Sequence, residues 1–296
     1  MSSKGRVILS ALVSLGLPVA LWAADGKVSP PKLTAAQIVE KNIEARGGLK
    51  AWHSIQTMSW AGKMEAGVGD SVTRSQMFVR NQWAHKGKAQ KTGAAADPNA
   101  DAPARDESAK QVDLPFVMEM KRPAKSRVEV EFNGKTAVQV YDGKNGWMKR
   151  PYLNRDDWEP FNPEQSKEQA SASSLDGPLF DYAAKGTKVE LEGMEAVEGH
   201  DAYKLKLTMK GGAVQHVWID AQSFLDVRVE GTPRRMDGKM HTVWVYQRDF
   251  RPVQGVQVPF VLETAVDGYA ETHKMVIEKV GLNPVLDDSL FARPKT

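Results

Sequence analysis

Residues 114–151 read LPFVMEMKRPAKSRVEVEFNGKTAVQVYDGKNGWMKRP. Taken two at a time, they set Phe116, Met118 and Met120 on one side and Val117, Glu119 and Lys121 on the other. After Pro123 the alternation resumes, with Val128, Val130 and Phe132 against Arg127, Glu129 and Glu131. A half-buried antiparallel strand requires this period of two. Proline has no N–H to give to a ladder, so the chain turns at Arg122-Pro123, and Asn133-Gly134 and Asp142-Gly143 tolerate the positive φ of tight hairpins. The stretch is a meander of four short strands.

Upstream, a linker at residues 25–33 leads to a helix from Thr34 to Arg46. Thr34 and Gln37 form a capping box and Gly47-Gly48 end the helix. Ile38, Val39 and Ile43 form its apolar stripe, and Leu49, Trp52 and Ile55 carry apolar content toward the first strand. Alternating segments at Thr57 to Ala66 and Val72 to Ala84 follow. Residues 85–113 then have almost no large apolar side chain and read as a disordered insertion between two strands. Downstream, residues 155–184 lose the period of two. Asn162-Pro163 starts a polar helix and Asp176-Gly177-Pro178 a second, so that 162–184 form a helical excursion with Leu175, Leu179, Phe180 and Tyr182 as its apolar anchors. From Thr187 the alternation returns, through Leu205, Leu207 and Met209, then Val217 and Ile219, Trp244 and Tyr246, Val256 to Leu262, and Met275 and Ile277. The fold class is mostly β: a curved antiparallel sheet or incomplete barrel of roughly 11–13 strands, with an N-terminal helix and a helical lid.

Composition excludes much chemistry. With no cysteine among 296 residues there are no disulfides, thiolate nucleophiles, cysteine-held metals or lipid-modified cysteine. Lys4 and Arg6 precede an apolar run from Val7 to Trp22, then Ala23 and Ala24, so residues 1–24 read as a secretory signal and the product as an exported protein, periplasmic in a Gram-negative cell. An uncleaved anchor is the competing reading, because the residue expected to be small before the cleavage site is Trp22 or Leu21. Losing that segment takes the formal charge from +3 to about +1, which gives no reason to seek nucleic acid. Six scattered histidines show no metal-ligand spacing, and no phosphate-binding or nucleophile motif occurs. No metal, no cofactor and no enzymatic activity are therefore expected. Asp156-Asp157 and Asp287-Asp288 read as solvated turn residues.

The order strand, Lys121-Arg122-Pro123, strand, Asp142-Gly143-Lys144, Trp147, closing on Leu286-Asp287-Asp288-Ser289-Leu290-Phe291 and Pro294, resembles the LolA/LolB-like superfamily of lipoprotein carriers, and in particular its outer membrane lipoprotein-sorting proteins. The resemblance covers most of residues 34–294. It implies a half-open barrel with an apolar cavity that shields acyl chains in transit, closed by helices as a lid. The arginine of the Arg-Pro pair, here Arg122, would latch that lid through backbone carbonyls. A chain longer than the shortest carriers, the 85–113 insertion and the missing lipobox cysteine are departures, and they leave the cargo open among a lipoprotein, a free lipid and some other apolar molecule.

From the residues alone, an arginine before proline at a strand end is otherwise simply solvated. The twelve methionines, many at strand positions, fit either a soft cavity lining or an irregular core. The expected lining is Phe116, Met118, Met120, Val128, Val130, Phe132, Trp147, Leu205, Leu207, Met209 and Trp244, and the lid carries Leu175, Leu179, Phe180 and Tyr182. The expected partners are lipoprotein acyl chains or lipid, an inner-membrane transporter as donor, an outer-membrane acceptor, and transient membrane contact. A sensor of the RseB-like kind, reporting occupancy to a protein partner, is the alternative, and a lipid hydrolase a third.

Overall fold

The computed structural model describes residues 33–67, 111–153, 155–270 and 272–293. The expected signal and linker, the strand expected at Val72 to Ala84, and the insertion as far as residue 110 lie outside the described residues. Helix α1 spans Ala35–Ala45, with Thr34 and Gln37 exchanging both bonds of the capping box. Gly47 and Gly48, at φ of 109° and 88°, turn the chain into a second helix, α2 (Leu49–Ser54). The sequence reading left α2 as a connection, since six residues are too few to show a helical period.

Among the described residues, ten strands precede the ribbon described below: β1 (Thr57–Gly67), β2 (Gln111–Lys121), β3 (Lys125–Phe132), β4 (Lys135–Tyr141), β5 (Gly146–Arg150), β6 (Arg155–Pro160), β7 (Lys188–Val197), β8 (His200–Thr208), β9 (Val214–Asp220) and β10 (Asp226–Glu230). Then come the ribbon strands β11 (Arg234–Met236) and β12 (Lys239–His241), followed by β13 (Val243–Val253), β14 (Val256–Val266) and β15 (Thr272–Leu282). Helix α3 (Pro163–Ala172) falls between β6 and β7. Thirteen strands form one antiparallel sheet in the order β6-β5-β4-β3-β2-β1-β15-β14-β13-β10-β9-β8-β7, while β11 and β12 pair apart. The sheet is not closed into a barrel, so the fold is an open half-barrel.

Two expectations need correction. Residues 111–113 are not part of a loop: Gln111, Val112 and Asp113 pair with Gly67, Ala66 and Glu65, a backbone bond that their side chains do not announce. Residues 155–160 are an edge strand, missed because polar side chains occupy both faces there. Asp156-Asp157 therefore sits in a strand rather than a turn. The acidic residues of β6, and those of β7 with its bulge between Leu191 and Gly193, blunt the two free edges against pairing with another chain.

The order of strands determines what crosses the sheet. β6 and β7 are consecutive in the chain yet stand at opposite edges, so residues 161–187 must run from one rim of the half-barrel to the other. That connection contains α3 and then turns; the helix expected to start at Asp176-Gly177-Pro178 is not formed. Its Leu175 and Phe180 share one core with Trp52 and Ile55 of the α2 region and with Met58, Met120, Val256 and Val258 of the sheet. The face carrying these contacts is termed inner below.

A gap in the ladder admits the helices. β14 pairs with β15 only from Val261 to Ala265, although each strand has eleven residues. Beside the freed part of β14, the Gln257 N–H donates to the Arg46 carbonyl at 3.0 Å. A Cβ on Gly47 would stand 2.3 Å from the Gly255 carbonyl oxygen, a backbone atom that cannot turn aside. Gly47→Ala is therefore expected to cost about 2 kcal/mol in urea unfolding, from positive φ and overlap together.

Candidate ligand-binding face and its lid

Register assigns the expected lining residues. Phe116, Met118 and Met120 stand opposite Val130, Val128 and Ser126, and also opposite Gly62, Trp60 and Met58, all on the inner face. Phe116, Met120 and Val130 are buried there, Met118 and Val128 are partly exposed, and Phe132 is exposed near the end of β3. Leu205 and Leu207 are fully buried on the inner face of the other half, and Met209 lies just beyond the end of β8, partly exposed.

Two expected lining residues face outward. Trp147 pairs with Val140, itself opposite Arg127, so it lies on the outer face with them. Trp244 packs with Val197, Ala202, Trp218 and Tyr246 in an outer cluster, where the Arg228 guanidinium lies 3.8 Å from the centre of the Trp218 ring and 5.9 Å from that of Trp244. Apolar side chains lie on both faces of these strands, and register with the neighbouring strands decides which face is inner.

One inner row differs from its neighbours. Val128, Met118, Trp60 and Val280 lie in register across β3, β2, β1 and β15 and are all only partly buried. On one side Ser126, Met120 and Met58 are almost fully buried; on the other Val130, Phe116 and Ile277 are. Across four strands at the usual spacing the row makes an apolar strip about 14 Å long, partly open to solvent between two buried rows and termed the furrow below. Its β4 neighbour is Gln139, opposite Val128.

Gln139 is where the crossing segment is tethered. Its Nε2 donates to Gln169 Oε1 of α3 at 2.6 Å, and Gln169 Nε2 donates to Ser126 Oγ at 2.9 Å and Ser173 Oγ at 3.2 Å. The Ser126 and Ser173 hydroxyls are 3.0 Å apart. This network is buried yet wholly polar, and water can replace each bond when the contact opens.

Arg122 makes the second tether. Its Nε donates to the Ile55 carbonyl at 2.7 Å, one terminal nitrogen to the Trp52 carbonyl at 3.0 Å, and both terminal nitrogens to the Asp176 carboxylate, the NH1 contact at 2.8 Å. The carbonyls it grips thus belong to the α2 corner, and the crossing segment is held by a carboxylate rather than by carbonyls. Asp176 is 3% exposed. Leu175, Leu179 and Phe180 are buried beside it, and Tyr182 is partly exposed.

Arg46, which sequence reasoning missed, is the third tether. It lies 3.4 Å from the Asp226 carboxylate, donates to the Asp176 carbonyl at 3.1 Å, and packs over the rings of both Trp52 and Phe180, 4.5 and 5.0 Å from their centres. Burial pulls the guanidinium pKa below its ordinary value, against the opposing pull of Asp226 and Asp176. Among the described residues, no cluster of three His, Asp or Glu side chains is placed to hold a metal ion, and no helix is long and apolar enough to cross a membrane.

No family model matches the sequence, and no curated protein does. Solved structures do match. A LolA superfamily protein from Nitrosomonas europaea superposes with a TM-score of 0.52 at 13% identity, covering 88% of this chain and 99% of that one. A DUF1329 family protein from Desulfovibrio piger gives 0.51 at 12% identity, over 88% and 98% of the two chains. A domain from Vibrio parahaemolyticus described as a putative outer membrane lipoprotein-sorting protein gives 0.50 at 10%, over 87% and 95%. The protein has the fold of the LolA-like superfamily.

Proposed function

We propose that this protein is a non-enzymatic periplasmic carrier that takes up acyl chains of a lipoprotein or lipid along the inner face and passes them toward the outer membrane. The carrying observation is the partly exposed furrow from Val128 to Val280, overlooked by a crossing segment that is tied down through polar contacts at Gln139, Ser126 and Arg122. Binding an acyl chain there withdraws about 0.8 kcal/mol of methylene surface from water per carbon, and the methionines of the face can repack around chains of different shape. The α3 part of the crossing segment, held by exchangeable hydrogen bonds at Gln139 and Ser126, opens at less cost than the part anchored by the apolar packing of Leu175 and Phe180. The lipoprotein-sorting description of the similar Vibrio domain agrees with this reading.

A reversible lock tests it. The protein has no cysteine of its own, and the Ser126 and Ser173 hydroxyls are close enough for cysteines at both positions to bridge. In the Ser126→Cys/Ser173→Cys protein, oxidation is expected to block uptake of a fluorescent fatty acyl probe and reduction to restore it. Equal uptake in both states would mean that the crossing segment is no lid. An absence of uptake in the wild-type protein would refute the carrier.

A further inference from the structure

The furrow contains one polar group with nothing to bond. Trp60 Nε1 is buried and has no hydrogen-bond partner among the described residues. Two tryptophans buried as whole residues meet the usual requirement: Trp52 Nε1 donates to the Arg46 carbonyl at 2.9 Å and Trp218 Nε1 to Glu195 Oε2 at 3.0 Å. The same-face neighbours of Trp60 are Met58 and Gly62 along its own strand, Met118 on β2 and Val280 on β15. None has a side-chain oxygen, and a thioether is a weak acceptor. A buried donor left unmet carries a free-energy cost, and native proteins rarely retain one without a use.

We propose that the ligand supplies the missing acceptor: a carbonyl oxygen that receives the Trp60 Nε1–H while the attached hydrocarbon lies along Met118, Val128 and Val280. The site then selects acyl esters and amides over bare hydrocarbon of equal length. The methionines beside Trp60 are the side chains that move aside, since their unbranched thioethers change rotamer at little cost. The inference rests on the carrier reading and adds the chemistry of what is carried.

The test compares two ligands of similar length, methyl palmitate and octadecane, delivered from cyclodextrin and displacing hexadecylpyrene from the lipid-stripped full-length protein. Trp60→Phe keeps a ring but removes the donor. It is expected to weaken methyl palmitate by about five- to tenfold, the worth of one neutral hydrogen bond, and octadecane by less than about twofold. In the wild-type protein, the Trp60 indole N–H proton resonance is expected to move downfield with methyl palmitate and not with octadecane, a readout independent of how well the variant folds. Equal weakening of both ligands, or an indole resonance indifferent to the ester, would overturn the role of Trp60 and leave the carrier standing. If neither the probe nor either ligand binds the wild-type protein, the carrier reading fails and this inference fails with it.

Discussion

Arg46→Met is expected to destabilise the protein by about 3–5 kcal/mol in urea unfolding, the usual consequence of removing one member of a buried ion pair. In a chain of this size that lowers Tm by on the order of 10 °C. The loss arises mainly in what remains. Asp226, 3% exposed, would keep a carboxylate in the interior without its counter-charge, and the Asp176 carbonyl would lose a donor. Methionine retains part of the packing against Trp52 and Phe180, so the loss reports mainly the charge and its hydrogen bond. The double variant Arg46→Met/Asp226→Leu is expected to recover most of the loss, because an apolar pair of similar bulk needs no desolvated charges. A single variant within about 1 kcal/mol of wild type would show that Asp226 does not depend on Arg46.

Arg122→Leu is expected to act on the lid rather than the fold. The leucine leaves the Asp176 carboxylate without its bidentate partner and frees the Ile55 and Trp52 carbonyls. The Arg122 side chain is 25% exposed, so solvent screens part of the interaction and about 2 kcal/mol is a fair expectation for the closed state. Release of a bound acyl probe should then quicken by roughly thirtyfold, with a cooperative unfolding transition retained. Asp176→Asn keeps an acceptor but not the charge, and should quicken release by about fivefold. Unchanged release from a folded Arg122→Leu protein would remove Arg122 from the gate.

The two arginine tethers differ in how far the sequence reveals them. Arg122 was visible because the Arg-Pro pair ends a clear strand in a recognisable order of motifs, but its partner Asp176 lay in a turn with no signal beyond the Asp-Gly-Pro triplet. Arg46 gave no signal at all, since an arginine at a helix end reads as solvated unless the fold is known to cover it. The strands themselves were legible wherever one face was apolar, as in β2, β3 and β8, and illegible in β6, where Trp158 shares its face with Asp156 and no apolar alternation forms. Parity alone is ambiguous at the two tryptophans: Trp244 and Tyr246 alternate with Val243 and Val245, and Trp147 adjoins Met148, so only the register with neighbouring strands shows which side is inner. The pairing of β1 with β15 joins residues more than two hundred positions apart, and local pattern does not encode it. That pairing leaves β6 and β7 as the edges and so sends residues 161–187 across the inner face.

The central claim is that the inner face carries an acyl chain. Its most direct test is mass spectrometry of an organic-solvent extract of the protein, purified gently from the cells that make it, against a mock purification. The account predicts acyl lipid or lipoprotein at close to one per protein, reduced in the Arg122→Leu variant. A lipid-free extract from a folded protein that also fails to take up a fluorescent acyl probe would contradict it.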